Sequence, residues 1–243
     1  MIKFFRKFRQ RMLLENKMGK YLLYASGEII LVVIGILIAL QLNNWKEKNN
    51  EKILEISTLS ELKSSFREDL NDINFNLNFN KKGLYACEQL ISAFDQGLPY
   101  HDSLDRHFGQ FYIISVFVNN TGAYETLKSR GLDIISNDSL RRQVQLMYDI
   151  IYSEILENQR NFNYIDLEQN KIFMIENMTN WKLFESAKPR SFDEISKDTV
   201  FHSRLAYTAQ VRNVSISRYS RAKKECESIL NRLELEIERL SNW

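Results

Sequence analysis

Apolar residues recur along most of this chain at steps of three and four, the spacing of a helix with one buried face. Ile56, Leu59, Leu62, Phe66, Leu70, Ile73 and Leu77 form one such row. They predict a helix from about Trp45 to Asn80, continuous with the apolar run that precedes it. Gly83 is expected to interrupt it before a shorter helix through Cys87, Leu90, Ile91 and Phe94. Gly97-Leu98-Pro99 ends that helix, and Asp102 or Ser103 caps the next segment. Residues 111–118 read FYIISVFV, a run too short for its pattern to choose between a buried strand and a buried helix. Thr121 then caps a short helix that closes at Gly131, a C-terminal glycine. Asn137-Asp138-Ser139 offers a cap before Leu140, Val144, Met147, Ile151 and Ile155. That helix is expected to run to about Phe184, short of Lys188-Pro189. The last helix spans roughly Asp198 to Ser241, with Tyr219, Ala222, Cys226, Ile229, Leu233, Ile237 and Leu240 on its seam.

The residues from Tyr21 to Leu42 follow another rule, a long run that is apolar almost throughout. As a helix these 22 residues rise about 33 Å, enough for a hydrocarbon core of about 30 Å. A cleaved signal peptide is the competing reading. The long charged leader and the Gln41-Leu42-Asn43-Asn44-Trp45 sequence, which has no small-x-small site, oppose it. Tyr21 and Tyr24 at one end and Trp45 at the other suit the two membrane interfaces. The cations ahead of the span place the N-terminus in the cytoplasm. The expected layout is a cytoplasmic segment over 1–20, a transmembrane helix over 21–42 and an extracytoplasmic domain over 43–243. The fold class is all-α: the anchor helix runs on into a bundle of long antiparallel helices, ordered up-down-up-down. Trp243 is then expected at the membrane interface beside Trp45.

Composition narrows the picture in two ways. With only 8 Gly and 2 Pro in 243 residues, tight turns are few, which favours long helices. Charge is unevenly spread. Lys3, Arg6, Lys7, Arg9, Arg11, Lys17 and Lys20 against Glu15 give the first 20 residues a net charge of +6, in a chain whose total is +2. A basic tip on a mildly acidic body fits contact with inner-leaflet lipid. Phe4, Phe5, Phe8 and Met12 fall near one helical face there, permitting either a helix lying on the leaflet or a frayed tail. The larger part has no basic stripe and no nucleic-acid motif, so nucleic acid is not an expected partner.

Glu15-Asn16-Lys17, Lys20-Tyr21-Leu22-Leu23-Tyr24-Ala25, the run Gly27 to Gln41, and Asn43-Asn44-Trp45 form a compact signature. Tyr124-Glu125-Thr126-Leu127-Lys128-Ser129-Arg130-Gly131, Leu140-Arg141 and Tyr148 form a second, looser one. Together they resemble an uncharacterised family of single-pass, membrane-anchored proteins of unknown function from Bacteroidota. The resemblance implies a protein of a Gram-negative cell envelope and brings no catalytic residues.

Little else in the chain points to chemistry. Cys87 and Cys226 sit far apart along the expected bundle, beyond the roughly 7 Å that a disulfide allows between Cα atoms. Two buried thiols are expected. His101, Asp102, Asp105 and His107 have no compact metal-ligand spacing and read as a polar loop. No nucleophile elbow, phosphate loop or Cys-x-x-Cys pair is present, so no catalytic residue, cofactor or metal is assigned.

Glu28 is the sharpest residue in the sequence. A carboxylate facing lipid at that depth costs about 2–3 kcal/mol. On a helix Glu28, Val32, Gly35, Ala39 and Leu42 share a stripe, and Gly35 with Ala39 makes a small-x-x-x-small pair. Three readings stand: a shallow carboxylate paired with Lys17, Lys20 or lipid amines; a hydrogen-bonding group in a homo-oligomer; an ion path. The expected function is a non-enzymatic, self-associating envelope scaffold or interaction module. A ligand-sensing bundle and an oligomeric channel are the alternatives.

Overall fold

The computed structural model describes residues 18–242. Helix α1 spans Met18–Asp95, 78 residues without interruption. The chain divides into two compact units, 1–54 and 55–243. Among the described residues the first holds the early part of α1.

The second unit holds the bundle. From Glu55 the rest of α1 continues to Asp95, passing Gly83 without a break, contrary to the expected interruption. A Cβ at Gly83 would overlap the guanidinium of Arg212, so this glycine serves close packing. A 3-10 turn, Asp102–Leu104, is capped by His101, whose Nδ1 accepts from the Ser103 amide at 3.2 Å. Neither Asp102 nor Ser103 supplies that cap. Helix α2, Asp105–Gln110, follows.

Residues 113–120 are neither strand nor helix. They form an extended strap that leads to α3, Gly122–Arg130. Thr121 stands at the N-cap of α3 without a side-chain bond, and Asn120 Oδ1 accepts from the Gly122 amide at 3.2 Å. Gly131 ends α3 with φ of 119°, a conformation that suits glycine.

The next rod is composite. Helix α4, Asp138–Leu146, starts at Asn137, whose side chain accepts from the Leu140 amide. Two π-helical turns, Met147–Tyr152 and Gln159–Asn163, bracket α5, Ser153–Asn158. Helix α6, Tyr164–Asn177, ends the rod earlier than the expected Phe184. There a β-hairpin intervenes. Strand β1, Met178–Lys182, pairs antiparallel with β2, Ser186–Pro189, with Met178 opposite Pro189 and an irregularity between Thr179 and Lys182. Asn180 and Phe184 adopt positive φ, which a helix does not permit. A Cβ on Gly109 would lie 2.5 Å from the Ser186 backbone, so α2 can rest on β2 only through a glycine. Helix α7, Phe192–Lys197, leads to α8, Thr199–Ser241. Asp198 caps α8 by accepting from the amides of Val200 and Phe201.

Cross-contacts fix the directions. Lys63 meets Glu234, and Asp95 meets His202, so α1 and α8 are antiparallel. Phe66 meets Tyr148 and Asp69 meets Tyr152, so the composite rod runs parallel to α1. The up-down-up-down order is therefore kept, but the second leg is mainly the strap with α3 and not a long helix.

Two apolar clusters fill the unit. The larger holds Leu59, Leu62, Phe66 and Ile73 of α1, Leu140, Val144, Met147, Ile151 and Ile155 of the rod, and the α8 seam from Tyr219 to Leu240. The second gathers Cys87, Leu90, Phe108, Phe111, Phe173 and Phe201, with the Phe173 and Phe201 rings stacked 4.0 Å apart. Cys226 belongs to the first cluster and Cys87 to the second. Both are buried and no disulfide joins them.

Candidate functional site

Two regions carry features that packing alone does not call for. One is the early part of α1. Every large apolar side chain from Ile29 to Leu42 is between 46% and 71% exposed. These residues face all directions around the helix, so docking of one face could not cover them. Among the described residues this helix is the one long and apolar enough to cross a membrane, with a mean hydropathy of 2.3 over its most apolar window. Glu28 and Gly27 are half-buried, and Val32, Gly35 and Ala39 are exposed. A Cβ at Gly35 would meet nothing within 4 Å in the single chain. Trp45 is exposed. Lys3, Arg6, Lys7, Arg9, Arg11, Lys17 and Trp243 lie outside the described residues, as do the side chains of Lys20, Tyr21 and Tyr24.

The other region is the strap. An extended segment without a β neighbour leaves its backbone groups without ladder partners, and burial of such groups is costly. Side chains from three directions take that place. On α1, Asp69 Oδ1 accepts from the Asn120 amide at 2.7 Å and Asp72 Oδ2 from the Val118 amide at 3.1 Å. Lower on the same helix and outside the strap, Glu55 accepts in the same way from the amide and the hydroxyl of Ser136, each at 2.8 Å. From the rod, the Gln159 side chain accepts from the Phe117 amide and donates to the Phe117 carbonyl. From α8, the Arg212 guanidinium donates to the carbonyls of Phe111 and Ile113. Acids meet amides and the cation meets carbonyls, which is the only way such charges can satisfy a backbone.

Asp69 is the centre of this arrangement. It is 1% exposed, and its second oxygen accepts from the Tyr152 hydroxyl at 2.8 Å. Burial raises its carboxyl from 3.8 to about 6, against the opposing pull of its two hydrogen bonds. The same burial holds the Tyr148 and Tyr152 hydroxyls far above their ordinary range, with the Asp69 charge adding to it. Cys226 donates to the Phe66 carbonyl at 3.2 Å, and burial pushes its thiol up to about 12. Such a thiol is a weak nucleophile.

The polar loop separates into local contacts. Tyr100 donates to Asp105 at 2.7 Å, and the His107 ring lies edge-on to Tyr85. Burial lowers the His107 pKa. No group of three or more His, Cys, Asp or Glu that could hold a metal occurs among the described residues.

A family described as of unknown function, DUF6090, has a model that matches residues 28–185, more than half of the chain. The chain belongs to DUF6090. The DUF6090 match starts at Glu28, so it takes in the apolar helix from there and leaves out the earlier part of the N-terminal signature. It includes the whole of the second segment. There Tyr124 stacks on Tyr148 at 4.3 Å, Tyr148 donates to the Asn120 carbonyl, and Tyr124 donates to Asp149. Those residues fasten the lower end of the strap. No curated protein and no solved structure matches the chain.

Asp69, Asp72, Gln159 and Arg212 were not singled out by sequence. A signal existed for two of them. Continuing three-four steps from Leu62 and Phe66 lands on Asp69 before Ile73, and extending the α8 seam back from Tyr219 lands on Ser215 and Arg212. Polar residues at seam positions mark buried polar work.

Proposed function

We propose that this member of DUF6090 is a non-enzymatic, membrane-anchored envelope protein whose helical domain serves as a scaffold or interaction module. The observation that carries the reading is the all-round exposure of Ile29–Leu42. A helix apolar on every face is stable only within a protein core or a bilayer. In this reading residues 21–42 span the inner membrane, residues 1–20 remain in the cytoplasm, and residues 43–243 lie in the periplasm. Tyr21, Tyr24, Trp45 and Trp243 sit at the interfaces, and Lys3, Arg6, Lys7, Arg9, Arg11, Lys17 and Lys20 meet anionic lipid. The Glu28, Val32, Gly35 and Ala39 stripe joins copies into a homo-oligomer.

The non-enzymatic part is supported by five polar side chains, buried or half-buried, that are engaged by the chain's own backbone. The carboxylates of Glu55, Asp69 and Asp72, the amide of Gln159 and the guanidinium of Arg212 bond the chain's own backbone. A reporter fused after Trp243 tests the topology. Activity outside the cytoplasm is expected, and activity confined to the cytoplasm would overturn it.

A further inference from the structure

A pocket of about 150 Å³ opens beside the hairpin tip, lined by Phe79, Lys82, Gly83, Gln110, Ile113 and Phe184. That volume is on the order of a cavity that admits one benzene ring. Its walls are suited to a ring: Phe79 and Phe184 stand edge to face, 6.3 Å between centroids, and Ile113 is buried beneath. Its rim is polar. Lys82 is exposed and makes no ion pair among the described residues. The Gln110 amide makes only a long contact, 3.5 Å, to the Phe184 carbonyl. Gly83 contributes backbone to the wall, its side-chain direction being filled by Arg212.

Phe184 holds the decisive detail. It occupies the turn closed by the Glu185 amide on the Lys182 carbonyl at 2.9 Å, with φ of 65°. Glycine adopts that conformation readily, whereas a bulky residue is strained there. Core burial does not explain the choice, because Phe184 is 52% exposed and its ring meets Phe79 at the pocket wall. Strained residues cluster at ligand clamps, and this one stands at the pocket wall.

We propose that this pocket binds a small aryl carboxylate, the ring packed against the Phe79–Phe184 pair and the carboxylate on Lys82 and Gln110. The inference is independent of the membrane anchor. One aromatic ring matches the volume, and the unpaired ammonium complements one negative charge.

The test uses the full chain in nanodiscs, with fluorine NMR of 4-fluorophenylacetate and of its neutral amide, 4-fluorophenylacetamide. Saturable binding of the acid is expected, about three- to fivefold tighter than the amide, the range of one exposed charge pair. Lys82→Met should bring the acid to the level of the amide. Phe184→Gly should weaken both about tenfold through loss of one aromatic wall. It should melt no lower than the parent, since glycine relieves the strained φ. Absence of saturable binding, equal binding of acid and amide, or indifference to both substitutions would overturn the proposal. Binding of octanoate without 4-fluorophenylacetate would overturn it too, as would unfolding of Phe184→Gly, which would make that ring a structural necessity.

Discussion

The Tyr152 hydroxyl donates to Asp69 Oδ2 at 2.8 Å while the Asn120 amide donates to Oδ1 of the same carboxyl at 2.7 Å. One buried side chain of α1 thereby ties the composite rod to the strap. The charge it carries there is unfavourable, because burial outweighs both donors and lifts its pKa from 3.8 to about 6.

A pH signature follows from that shift. The folded state holds the Asp69 proton over a window, about pH 4 to 6, in which the unfolded chain has released it. This group therefore stabilises the fold as pH falls through 6, and its contribution is lost as pH rises through the same value. The shift corresponds to about 3 kcal/mol. Asp69→Asn keeps a similar shape and never charges. Melting curves of the full chain in mild detergent should show the variant gaining on the parent between pH 4.5 and 7.5. A difference that stays constant with pH would mean that Asp69 titrates normally.

Gly83 should be sensitive to alanine and Gly35 indifferent to it. At Gly83 the new methyl displaces the Arg212 guanidinium from the Phe111 and Ile113 carbonyls, leaving buried acceptors unpaired. The expected loss is about 2–4 kcal/mol, seen as a lower melting temperature. A methyl at Gly35 meets nothing in the single chain. Gly35→Ala should leave the melting of the second unit unchanged, and a matching loss there would contradict the packing described.

The helices were legible in sequence because burial in a bundle has the helical period. Leu59, Leu62, Phe66, Ile73 and Leu77 of α1 and the α8 seam from Tyr219 to Leu240 are buried as their spacing predicts. Leu70 is only half-buried, since the position that faces inward at that level belongs to Asp69. The strap was not legible for a physical reason. Its backbone partners are side chains 42 to 101 residues away, at Gln159, Asp72, Asp69 and Arg212, and an unpaired extended segment has no period of its own. The hairpin was hidden because Trp181, Leu183 and Phe184 are displayed at the surface and only Met178 and Ala187 reach a core, which leaves no alternating pattern. The proposed association stripe around Glu28 would act between copies of the chain, so a single chain leaves it as a proposal.

Cys226 should be inert in the folded protein. Its thiol is buried, donates to the Phe66 carbonyl, and is pushed up to about 12. Iodoacetamide at pH 8 should leave it unmodified until denaturant is added, as read by mass spectrometry. Stoichiometric modification of the native chain would show that the first cluster opens around it.

Association through α1 predicts a different sensitivity. Gly35→Ile should weaken oligomers by blocking close backbone approach. Glu28→Gln should act mildly if the carboxyl donates a hydrogen bond across the contact, and more strongly if it faces a cation. Native mass in several mild detergents provides the readout, and a strictly monomeric parent in all of them would remove the association.

The anchor itself is tested most directly by the intact mass of the chain recovered from membranes washed with alkaline carbonate. Full-length mass in the membrane pellet, with residues 1–42 retained, is the predicted result. A chain released to the supernatant, or one beginning downstream of Ala39, would contradict the membrane span.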